Sequence, residues 1–80
     1  MKTVKVIEVQ PLDNLQLKVV FENNIAKCYD VQQLFKSFPQ FEQLKNPAIF
    51  KTVHIDCKGY AVAWSDDLDL SSNDLWVNGV

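Results

Sequence analysis

The sequence predicts a small single α+β domain in which antiparallel β-hairpins, about five strands in all, pack with two or three short helices. Three observations lead there. Apolar and polar residues alternate in LQLKVVFE (15–22) and again in TVHIDCKGYAVAW (52–64), the mark of half-buried strands. Val31, Leu34, Phe35 and Phe38 follow helical spacing after Asp30. Asn46-Pro47, and Ser71 with Asp74 three residues later, have the form of helix starts.

The elements follow in chain order. TVKVIEV (3–9) is a strand region whose Val6-Ile7 doublet breaks the alternation, which points to a bulge or to burial on both faces. LQLKVVFE sets Leu15, Leu17, Val19 and Phe21 on one face. Asparagine tolerates positive φ, so Asn23-Asn24 suits a two-residue type I′ turn. That turn places Phe21 opposite Ala26 and Val19 opposite Cys28, and it puts Cys28 on the core face. The outer face then collects Val20, Ile25 and Tyr29 among Lys18, Glu22 and Lys27. An apolar patch rimmed by charge is a candidate interaction surface for a second copy or a protein partner, unless the last helix or the first strand covers it.

Asp30 reads as a helix cap with Gln33 as its box partner, and Pro39 limits that helix. FEQL is one further turn, and Asn46-Pro47 starts a short helix to about Lys51 that turns Ile49 and Phe50 inward. A turn at Lys58-Gly59 makes the second hairpin, with Ile55 beside Val62 on one face and His54, Asp56, Ala61 and Ala63 on the other. In AWSDDLDLSSNDLW (63–76), Ser71 and Asp74 form a capping box, with the carboxylate at the positive end of the helix dipole.

Composition bounds the function. With 48% hydrophobic and 22% charged residues, two glycines and three prolines, the chain is an ordinary globular one, with the thin core of its length. MKTVKVIEVQ has no apolar signal core and no apolar run approaches a membrane span, so a soluble cytoplasmic protein is expected. Cys28 and Cys57 then read as buried reduced thiols. All eight basic residues are lysine and the net charge is −2, which disfavours direct nucleic-acid binding. The charge is uneven: residues 1–65 carry +2, whereas residues 66–80 carry four aspartates and no lysine.

The segments VIEVQPLD, LQLKVVFENN, YDVQQLF, FEQLKNPAIF, VHIDCKGYAVAW and DLDLSSNDLW follow one another over essentially the whole length. In that order and spacing they resemble the family called domain of unknown function 2442. Asn23-Asn24 stands where that family usually has Asn-Gly, and Ser65-Asp66-Asp67 where it usually has Pro-x-Gly; both are turn changes. The resemblance implies a small bacterial α+β domain, sometimes joined to a helix-turn-helix and sometimes encoded near other tiny proteins in toxin–antitoxin fashion. It transfers no catalytic residue.

Dedicated chemistry is not legible. A calcium loop starting at Asp67 would need glycine at its sixth position and glutamate at its twelfth, where Ser72 and Asn78 stand. Cys28, His54 and Asp56 fall on different hairpins and faces, which argues against a thiol–imidazole pair, and two cysteines with one histidine do not make a zinc set. Gly59 and Gly79 make no phosphate loop. Phe21, Phe35, Phe38, Phe41, Phe50 and Trp64 read as core. The expected role is a non-enzymatic protein-interaction module without a cofactor, antitoxin-like in the light of the resemblance. A small-ligand binder or enzyme whose site converges only in three dimensions, and an accessory of a nucleic-acid-binding complex, stay open.

Overall fold

The computed structural model describes residues 4–80, so Thr3, with which the predicted first strand begins, lies outside the described residues. Two three-stranded antiparallel sheets make up the fold. β1 (Val6–Leu12), β2 (Gln16–Phe21) and β3 (Ala26–Asp30) lie in sequence order in the first. β4 (His54–Asp56), β5 (Ala61–Ser65) and β6 (Leu68–Ser71) do the same in the second. Between the sheets in sequence run 3-10 turns and the one-turn helix α1 (Pro47–Phe50), and α2 (Ser72–Asn78) follows β6. The α+β class is as expected, with six strands rather than five. The added strand is LDLS: Leu68 and Leu70 point inward between exposed neighbours, an alternation that the aspartates disguise. Among the described residues no helix is long and apolar enough to cross a membrane.

The first hairpin departs from the expected register by one residue. Leu17 faces Tyr29, Lys18 faces Cys28 and Val19 faces Lys27. The turn holds three residues, Glu22 to Asn24: the Phe21 N–H donates to the Ile25 carbonyl at 3.0 Å and the Asn24 N–H to the Phe21 carbonyl at 2.9 Å. Asn24 alone takes the left-handed conformation, at φ 67°. Glu22 is drawn into the turn because its N–H donates to the Lys5 carbonyl at 2.9 Å while its carboxylate accepts from the Lys5 N–H at 2.8 Å. A one-residue shift exchanges the faces of a strand. Tyr29 therefore lies in the core, 1% exposed, and Cys28 turns to the other side. In β1 the register slips between Val6 and Glu8, which is the bulge that the Val6-Ile7 doublet signals.

The second hairpin keeps the expected register, with Ile55 opposite Val62. Its turn bends through positive φ at Cys57, Lys58 and Gly59. A Cβ on Gly59 would sit 2.8 Å from the Val6 carbonyl oxygen, so the close approach of β1 requires glycine there. β5 is buried on both faces: Ala61 and Ala63, expected on the outer face, are covered along with Val62 and Trp64. Trp64 sits among Phe41 and Phe50, stacked on the latter, and its indole N–H donates to the Phe50 carbonyl at 2.9 Å.

The expected helix after Asp30 is instead a 3-10 turn over Val31–Leu34, capped by the Asp30 carboxylate, which accepts from the Gln32 N–H at 3.0 Å. Pro39 disfavours helical backbone at the residue before it, and Phe38 accordingly leaves the helical region, at φ −135° and ψ 84°. Phe38 ends 47% exposed, against its expected core position. Asn46 caps α1 as expected, accepting from the Ala48 N–H at 3.0 Å.

α2 packs on the core side of the first hairpin. Leu75 is fully buried, the Trp76 ring meets Phe21 edge to face at 5.0 Å, and the Lys27 ammonium lies 4.1 Å from the Trp76 ring centre. Val80 then pairs with Cys28, each donating its N–H to the other's carbonyl at 2.9 Å. Ser71 caps the helix, its hydroxyl accepting from the Asp74 N–H at 3.1 Å. Ser71→Ala is expected to cost about 1 kcal/mol in urea unfolding. The adjacent Ser72→Ala should cost nothing, because the Ser72 hydroxyl is buried without a hydrogen-bond partner among the described residues. Equal midpoints for the two variants would remove the cap.

Candidate interaction groove

Three local features converge on one groove. Pro39 holds Phe38 out of helical backbone, so its ring projects beside the buried Leu34 and Phe41. The tight turn between β5 and β6 exposes Asp67, and the alternation of β6 turns Leu70 inward and Asp69 outward. The first turn of α2 presents Asp74. These residues, with Gln40 and Ser71, line a groove of about 450 Å³. It has an apolar floor, three carboxylates and, among the described residues, no lysine.

Asp74 is held in place. Its carboxylate accepts hydrogen bonds from the Tyr29 hydroxyl at 3.2 Å and from the Asn78 side-chain amide. Burial, and after it the Asp74 charge and hydrogen bond and the charge of Asp30, push the Tyr29 phenol well above its ordinary value. The neutral phenol is thus favoured in the folded state. Its contribution is complete below the unfolded value near pH 10 and is lost as pH rises from there towards the higher folded value. Stability should therefore fall above about pH 10 by up to roughly 1.4 kcal/mol per pH unit more in the parent than in Tyr29→Phe. Urea midpoints of both proteins between about pH 9 and 11 measure the difference, and parallel profiles would remove Tyr29 as the cause.

The residues singled out from sequence are dispersed. Val20 is half-buried on the opposite face of the first sheet from Tyr29, Tyr29 is in the core, and Ile25 is exposed beside the turn. They share no surface, because the register that joined them is one residue off. Cys28 is half-buried in the first sheet, whereas His54, Asp56 and Cys57 are exposed in and after β4 of the second. The Asp56 carboxylate accepts from the Cys57 N–H at 2.8 Å and His54 Nδ1 lies 3.2 Å from the Thr52 carbonyl oxygen, both local turn contacts. Among the described residues no three of His, Cys, Asp and Glu gather as metal ligands do. A second hollow of about 400 Å³ between Pro11–Leu15 and Pro47–Lys51 has mixed charge, and its Lys45 is already paired with Glu42 at 3.2 Å.

The groove itself escapes sequence reading. Its acidic side carries a signal, the four aspartates after residue 65, but the cap that Ser71 and Asp74 form accounts for that stretch locally. Its aromatic side comes from a segment about 30 residues away, where Phe38 fits the helical core spacing. The pair Phe38-Pro39 is the one cue that could have separated this ring from the core.

Residues 6–80 match the family described as "Protein of unknown function (DUF2442)". No curated protein and no solved structure matches.

Proposed function

The chain belongs to the DUF2442 family, and from that premise, which assigns no chemistry, we propose that it is a non-enzymatic protein-interaction module. The groove of Asp67, Asp69 and Asp74 is its docking face, and it acts as the acidic, antitoxin-like member of a pair with a basic protein. The observation that carries this reading is the segregation of charge: three carboxylates flank an apolar floor, and none of the lysines among the described residues lines it. Unpaired charge of one sign speeds and selects the encounter with an opposite surface, and apolar area supplies the affinity once water leaves. The exposed Phe38 ring is the kind of aromatic anchor such contacts use.

Affinity capture with the parent protein and with Asp67→Lys/Asp69→Lys tests the reading. Both positions are exposed, so the variant keeps its circular dichroism. A basic protein should be retained by the parent at low salt, released as salt rises, and absent from the variant. A partner held equally by both proteins would place the docking face elsewhere.

A further inference from the structure

We propose that the groove receives its basic partner as an added β-strand, paired along the free edge of β6, with cationic and apolar side chains in alternation. The inference rests on the docking reading above and adds the backbone to it. β6 is the outer strand of its sheet. The Ser72 N–H donates to the Tyr60 carbonyl at 2.8 Å, and two residues back Leu70 stands opposite Val62. Antiparallel ladders alternate, so Leu70 and Val62 form the hydrogen-bonded pair, and Asp69 opposite Ala63 and Ser71 opposite Ala61 form the non-bonded ones. The main-chain N–H groups of Asp69 and Ser71 and the carbonyl of Asp69 then face away from the sheet. Among the described residues no hydrogen bond reaches these three groups. The edge of β3 is different: there Val80 occupies the main chain of Cys28.

Charge complementarity identifies the occupant. A strand laid on β6 continues the two faces of the sheet. Alternate side chains would fall on the side of Leu70 with Leu34, Phe38 and Phe41, which is apolar. Those between would fall on the side of Asp69, which is acidic. A segment alternating lysine or arginine with aliphatic residues satisfies both faces and the three open main-chain groups, in the manner of strand addition to a sheet edge. The competing role for Asp69 is purely protective, since charge on an outer strand deters pairing with any chain.

The test uses an eight-residue peptide of alternating lysine and valine, and the same peptide with its alternate main-chain nitrogens methylated, which keeps charge and side chains but removes donors. Each is titrated into the ¹⁵N-labelled protein. The unmodified peptide should shift the amide signals of Asp69 and Ser71 downfield and slow their hydrogen exchange. It should bind at least tenfold more tightly than the methylated one, and Asp67→Lys/Asp69→Lys should weaken it at least tenfold. Equal binding of the two peptides would overturn strand addition while leaving an acidic docking groove intact. Absence of binding, or shifts confined to residues outside β6, would overturn the inference in favour of the protective role, and the capture experiment then judges the groove separately.

Discussion

Tyr29→Asp is expected to leave no folded protein at room temperature, whereas Cys28→Asp, one position earlier, should fold with a loss below about 2 kcal/mol. Tyr29 is 1% exposed, and its hydroxyl lies 3.2 Å from the Asp74 carboxylate. Aspartate there loses the ring's packing and brings a second, unpaired carboxylate towards the first, a combined cost of several kcal/mol. At roughly 0.05–0.15 kcal/mol per residue, a domain of this size has little more than that to lose. Cys28 points to the opposite, half-covered side, where a carboxylate keeps access to water. Circular dichroism and urea titration of the pair decide the matter. A folded Tyr29→Asp alongside an unfolded Cys28→Asp would restore the two-residue turn.

Trp64 carries the second large effect. Its ring fills the space between Phe41 and Phe50, at centroid distances of 6.3 and 6.2 Å, and its N–H satisfies the buried Phe50 carbonyl. Trp64→Ala should cost about 3–5 kcal/mol through the cavity it leaves. Trp64→Phe keeps most of the ring contact but leaves the carbonyl only the longer bond from the Val53 N–H, at 3.4 Å, and should cost about 0.5–1.5 kcal/mol. Urea midpoints rank the three proteins. If Trp64→Phe matched the parent, the hydrogen bond would contribute nothing and the whole effect would belong to packing.

The sequence was informative where a local rule decides the outcome. Asn46-Pro47 and Ser71 cap as expected because capping is settled within four residues, and the second hairpin keeps its register around the tight bend at Gly59. The first hairpin failed through a contact beyond its own residues: Lys5 engages Glu22 at both its main chain and its side chain, and a turn of three residues results. One position of slip then moved Tyr29 inward and dissolved the surface of Val20, Ile25 and Tyr29. The helix after Asp30 failed because apolar spacing at Val31, Leu34, Phe35 and Phe38 is shared by helical and 3-10 turns over so short a span, and Pro39 tips the balance at its end. The groove joins Phe38 to Asp67 and Asp69, and long-range juxtaposition of that kind is written in no local pattern.

The bond pair between Val80 and Cys28 has a practical side for anyone who lengthens this chain. The two residues exchange both main-chain bonds, so whatever is joined after Val80 sets out antiparallel to β3, past Lys27 and Ala26. At about 3.3 Å per residue, three added residues reach Ile25, just short of the bend at Asn23 and Asn24. A tag that begins with valine, threonine or isoleucine would zip onto that edge and hide its own epitope, while glycine and serine would let it swing free. A proline placed second, where the next main-chain bond to Ala26 would form, would end the ladder at Val80 and give a fused reporter a fixed departure point.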